Sequence, residues 1–257
     1  MTSSLVLHGL VRRRVLLNFR VDPTVIQRQL PRPFQPLLVD GWAIAGVCLI
    51  RLAQLRPKGV PAGLGLSSEN AAHRIAVGWT DASGMPRQGV YIPRRDSGSA
   101  LNVLIGGRLF PGQHHSARFV VRESNDDDAA LDLALHTADG SADVRLRAHP
   151  SDRLPAGSCF GSLEAASAFF AAGAIGYSAR RTGSAFRPRG SSARRDTVGL
   201  DGLELRTAGW RIQPLAVDAL SCRYFADPAR FPPGSLTFDS AFIMRDLPHQ
   251  WRPLPDA

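Results

Sequence analysis

The sequence predicts an α+β, mostly β domain: a closed or strongly curved antiparallel β-barrel with a few decorating helices. Three observations carry that reading. Short apolar runs bounded by Gly, Pro, Asp and Ser recur along the chain, the pattern of strands joined by hairpins. Few segments combine a cap, an apolar stripe and a stop in the order a helix needs. One stretch, Gly41 to Leu52, is almost wholly apolar and suits a strand buried on both faces. A chain of 257 residues is within reach of one all-β or barrel domain, and is long enough to enclose a pocket. With no internal repeat and no linker, residues 1–257 are read as a single domain.

The elements follow in order. Val11 to Phe19 reads as a strand. Asp22-Pro23 then opens a helix, with Asp22 capping the free N–H groups, Val25, Ile26 and Leu30 as its stripe, and Pro31 and Pro33 ending it. Gly59 to Gly65 is a loop. Ala71 to Trp79 and Gly89 to Ile92 form a hairpin around the turn Asp81 to Met85. Ser99 to Ile105 is a short helix stopped by Gly106-Gly107. His115 to Arg122 is a strand with Ala117, Phe119 and Val121 on one face. After a turn at Asp126 to Asp128, Leu131 to Thr137 and Ala142 to Ala148 form a second hairpin. Ser162 to Ala172 is the clearest helix, and Leu203 to Leu205, Trp210 to Pro214 and Val217 to Tyr224 are closing strands.

Composition excludes several classes of function. No apolar run spans a bilayer, and the N-terminus lacks the basic-then-apolar order of a signal peptide. Cys48, Cys159 and Cys222 are odd in number and far apart, so they are read as reduced thiols in a cytoplasmic protein. The net charge of +9 raises the question of nucleic acid, but six arginines crowd into a Gly/Ser/Pro-rich loop from Arg180 to Arg195. Phe186 is the loop's one aromatic, so base stacking is not indicated. Neither nucleic acid nor membrane is an expected partner. No P-loop, dinucleotide fingerprint or GxSxG elbow occurs, and no HExxH-type spacing suggests a metal. No cofactor is implied.

Several motifs together resemble one superfamily. FRVDP at Phe19 to Pro23, LPRPF, SSEN around Glu69, GVYIP and GGRLFPG are similar to acetoacetate decarboxylase-like proteins. The closer resemblance is to the YqjF-like family of unknown function, through SSENAAHRIAV, GVYIPRRDS, RLFPGQHH, FFAAGAIGYS and PPGSLTFDSAFIMRDLPHQW. The resemblance implies a cone-like β-barrel with a buried pocket. In acetoacetate decarboxylase that pocket holds a Schiff-base lysine, a second lysine, an arginine and acidic residues. Arg20 matches the arginine, Glu69 falls where a glutamate is expected, and His114-His115 stands where the lysine pair should be. Lys58, the chain's single lysine, lies in the turn Arg56-Pro57-Lys58-Gly59. An imine needs an enclosed primary amine, so Schiff-base chemistry is not expected.

The remaining candidates divide by role. Arg20 could grip a carboxylate or form an ion pair with Asp22 or Glu69. Glu69, Ala71 and His73 share one strand face while Asn70 and Arg74 point away, so Glu69 and His73 could form an acid/base pair, or Glu69 could be a carboxylate satisfied by an arginine. Adjacent His114 and His115 face opposite sides, so one points inward and could shuttle a proton. Arg94 or Arg95 could support an anion or a developing enolate, with Asp96 pairing the other. Tyr177 could donate to a ligand or pack as a lid. The leading expectation is a lyase-like enzyme (decarboxylase, hydratase or isomerase type) acting on a compact carboxylate or keto acid by acid/base chemistry. The alternatives are a ligand-binding carrier or sensor of an anionic or apolar molecule, and a structural role. Relatives assemble into larger complexes, so a homo-oligomer is also compatible with the sequence.

Overall fold

The computed structural model describes residues 6–99, 112, 114–123, 130–179 and 199–254. In chain order the elements are β1 (Leu7–Val21), α1 (Pro23–Gln27), β2 (Gln35–Pro36), β3 (Leu38–Val39), β4 (Trp42–Pro57), a 3-10 turn (Ala62–Leu64), β5 (Leu66–Thr80) and β6 (Pro86–Ser97). They continue with β7 (His114–Glu123), β8 (Leu131–Thr137), β9 (Val144–Pro150), α2 (Leu163–Ala172), β10 (Ile175–Ala179), β11 (Leu200–Thr207), β12 (Gln213–Cys222) and β13 (Leu236–Leu254).

These strands form one strongly curved sheet whose pairing path closes on itself twice. One circuit runs β6-β7-β8-β9-β12-β13-β1-β4-β5 and returns to β6. The other leaves β6 through β10 and β11 and rejoins β13. The sheet forks where long strands change partner. β6 carries β10 beside Val90 and Tyr91 but β7 beside Arg95 to Ser97. β13 carries β12 beside Ala241 to Ile243 but β11 beside His249 to Leu254. Pairing is antiparallel except at β6, whose contacts with β7 and β10 are parallel.

The shared strands β13, β1, β4, β5 and β6 are therefore a wall with a packed core on each side. Alternation of side chains along a strand divides them between the two. Leu17, Leu49, Ile75 and Ile243 join Leu133, Leu146 and Phe225 in the inner core. Leu16, Cys48, Ile50 and Phe242 join Phe170, Leu203 and Trp251 in the outer core, under β10, β11 and α2. This explains the apolar run in β4, which is buried continuously from Ala43 to Ile50. Gly46 lets β1 and β4 approach, since a Cβ there would stand 2.1 Å from the Leu17 carbonyl oxygen.

Most predicted elements are present but longer. The Asp22 carboxylate accepts from the Thr24 N–H, yet α1 ends at Gln27, before the prolines expected to stop it. Ser162 caps α2 through the Ala165 N–H. In place of the expected strands Trp210 to Pro214 and Val217 to Tyr224 there is one strand, β12 (Gln213–Cys222), whose register shifts between Val217 and Ala219. β10 and β13 were not predicted from patterning: β10 is only five residues, and β13 serves two cores and so lacks one-sided alternation. The helix at Ser99 to Ile105 and the turn at Asp126 to Asp128 lie outside the described residues, apart from Ser99.

Candidate functional site

Inside the nine-strand circuit a polar cluster interrupts the apolar core. His73 on β5 is fully buried, and its Nδ1 stands 3.6 Å from the Asp96 carboxylate on β6. Neither imidazole nitrogen has a hydrogen-bond partner among the described residues. Burial first, and then the charges of Arg94, Arg230 and His115, pull the His73 pKa down to about 3, so the ring is neutral. Burial pushes the Asp96 carboxyl upward, opposed by the Arg94 hydrogen bonds and charge. Arg94 grips Asp96 through Nε and Nη2 at 3.0 and 2.8 Å, while its Nη1 donates to Ser141 at 2.6 Å.

Two further groups complete the cluster. The Tyr224 ring packs on His73 with centroids 4.3 Å apart, and its hydroxyl accepts from Arg230 at 3.1 Å. Burial raises the Tyr224 pKa, keeping the phenol protonated. Tyr224 also lines a cleft of about 420 Å³ together with Ile75, Pro93, Arg28 and Arg230. His115 pairs in register with Asp96 and acts electrostatically on both His73 and Asp96. It shares the face of β7 that packs Ala117, Phe119 and Val121 into the inner core. His114, one residue earlier, lines a second cavity on the outer side of the wall. The two histidines thus face opposite chambers.

The predicted site residues are divided in the same way. Glu69 and His73 share the inner face, but Glu69 is held by Arg13 at 2.7 Å and Arg51 at 3.1 Å. Buried Arg13 also bonds Glu123 at 2.9 Å, so Glu69 belongs to an ion network rather than to the His73 cluster. Arg20 points to the outer side, where the buried Asp239 carboxylate is 3.4 Å away. Neither Asp22 nor Glu69 is its partner in an ion pair among the described residues. Arg95 lines the outer cavity, opposite to Arg94. Tyr177 is buried among Trp79 and Phe34, at centroid distances of 5.3 and 5.7 Å. Sequence reasoning missed Tyr224 and Arg230, because nothing local ties them to His73; the aromatic pair Tyr224-Phe225 after β12 was the available sign. Among the described residues no three His, Cys, Asp or Glu side chains converge on one point.

The fold is that of acetoacetate decarboxylase-like proteins. The chain belongs to the DUF2071 family, described as an uncharacterized conserved protein (COG2071), whose model matches residues 11–185. No curated protein matches the sequence. Among solved structures, the chain is similar to an acetoacetate decarboxylase-like enzyme from Sphingomonas wittichii RW1, with a TM-score of 0.62 and 16% identity over 100% of this chain and 93% of that one. It is also similar to acetoacetate decarboxylase from Legionella pneumophila, with a TM-score of 0.63 and 11% identity over 97% and 87% of the two chains. A third is the enduracididine biosynthesis enzyme MppR complexed with pyruvate, with a TM-score of 0.59 and 13% identity over 100% and 90%. These likenesses establish the fold. No helix among the described residues is long and apolar enough to cross a membrane.

Proposed function

We propose that this protein is a small-molecule enzyme that acts on a compact carboxylate or keto acid by acid/base chemistry without a Schiff base. The observation that carries the reading is the His73–Asp96–Arg94–His115 cluster buried beside the Tyr224–Arg230 cleft. A carboxylate entering the cleft meets Arg230 and Arg28, which take the anchoring role that the sequence suggested for Arg20. The Tyr224 phenol is a neutral donor for a carbonyl or enolate oxygen. His115 is the proton carrier, since its imidazole offers two ring nitrogens and lies in register with Asp96. Asp96, fixed by Arg94, and neutral His73 orient the cluster rather than exchange protons with bulk water. The absence of an imine is supported by Lys58, which is exposed in the turn after β4 and is the chain's one lysine.

A panel of short α- and β-keto acids and enoic acids, followed by proton NMR in D₂O, tests this reading. Lost substrate signals or accelerated α-proton exchange, abolished in Arg230→Ala, is the expected result. Saturation transfer without any chemistry would instead favour a carrier or sensor. That second reading draws on the locked state of Asp96, which Arg94 already saturates with hydrogen bonds.

A further inference from the structure

The outer chamber holds a cavity of about 120 Å³ whose lining shares only Asp96 with the cluster above, a carboxylate that Arg94 already holds from the inner side. Its apolar wall includes Ile50, Leu52, Val90, Ile92 and Leu203, while Arg14, Arg74 and Arg95 bring positive charge to it. Arg74 is 5% exposed and has no carboxylate partner among the described residues. Its Nη2 donates to the neutral Asn18 Oδ1 at 2.5 Å, its guanidinium lies 4.9 Å from the Phe170 ring centroid, and its Nε has no hydrogen-bond partner among the described residues. Arg14 likewise rests on neutral groups, donating from Nε to Cys48 Sγ at 3.3 Å and lying 5.7 Å from the Trp210 ring centroid. Burial, and then the nearby charge of Arg14, pull the Arg74 pKa down to about 10, opposed by Cys48, so Arg74 is still a cation at neutral pH.

Burying a guanidinium without an anion is costly, and placing two side by side adds repulsion. A bound anion removes both penalties. We propose that this outer cavity is a second binding site, distinct from the inner cleft, for a compact organic carboxylate. Arg14 and Arg74 hold the carboxylate, and its short apolar tail lies against Ile50, Ile92 and Leu203. The Cys48 sulfur, 6% exposed in the same cavity, is a built-in reporter of what enters.

Alkylation of the folded protein makes the test direct. Iodoacetate and iodoacetamide both form a bond from Cys48 sulfur to their methylene carbon, with iodide leaving with the bonding electrons and the thiol proton passing to solvent. They differ in carrying a carboxylate or an amide. Peptide mass mapping separates Cys48 from Cys159 and Cys222, whose pKa values burial pushes up to about 12 and which serve as slow controls. The expected result is Cys48 labelling by iodoacetate faster than by iodoacetamide, by on the order of tenfold. Butyrate should slow it, and Arg74→Gln should remove the preference. Arg14 is only half-buried, so Arg14→Gln provides the same readout if Arg74→Gln fails to fold. Equal or slower labelling by the anion, no labelling of Cys48 by either reagent, or a preference that survives in the folded arginine variants would overturn the proposal. Loss of keto-acid turnover in Arg230→Ala reports on the inner cleft alone, so the two sites can fail independently.

Discussion

His73 shows how burial can set protonation against the ordinary behaviour of a side chain. Its surroundings are Asp96, Arg94, Arg230, His115 and Tyr224, and the cationic neighbours reinforce the penalty of burial. His249, with a pKa pulled down to about 4 mainly by burial, behaves similarly. The folded state therefore resists protons that the unfolded chain accepts below about pH 6.5. Stability is complete above that pH and declines as pH falls toward 4, by up to about 1.4 kcal/mol per pH unit for each histidine. Asp96, whose pKa is raised, acts in the opposite direction at the acid end. Urea midpoints between pH 7.5 and 4.5 should show the decline, with a shallower slope in His73→Gln; an unchanged slope would mean that His73 is not held neutral. Arg13 makes a second prediction at this scale. Its removal leaves Glu69 to Arg51 and Glu123 to Arg245, both about half exposed, so Arg13→Met should cost about 1.5–3 kcal/mol in urea denaturation.

Elements here are shaped by the two chambers they serve. β4 is apolar from Trp42 to Ile50 because Leu49 fills one core and Ile50 the other, and Gly46 keeps β1 close. Gly46→Ala, although a small change, should destabilise more than Ser162→Ala, because the clash is with backbone that cannot rotate away. Loss of the Ser162 cap on α2 should cost about 1 kcal/mol, and both are read from thermal or urea unfolding. The apolar run and both helix caps were legible in the sequence, since they depend on residues close along the chain. β10 and β13 were not, because their partners are distant and their burial is two-sided. The alternation of Glu69, Ala71 and His73 against Asn70 and Arg74 was also legible. What it could not reveal is that the opposite face, with Arg74, looks into a cavity of its own.

At the scale of the molecule, the sheet forks at β6 and β13 and turns one wall into two rooms. Neighbouring residues are thereby sent to different chemistry: Arg94 to the inner cluster and Arg95 to the outer cavity, His115 inward and His114 outward. The family and the fold agree with the motif resemblance. Roles within the site depend on which chamber each side chain enters, a property of sheet closure that local spacing does not contain. We propose that the acid/base chemistry belongs to the inner chamber. It is tested most directly by α-proton exchange of a short keto acid in D₂O, comparing the native protein with folded His115→Ala and His114→Ala. Exchange should be lost in His115→Ala and retained in His114→Ala. Exchange that persists in His115→Ala but disappears in His114→Ala would contradict it and move the chemistry to the outer side of the wall.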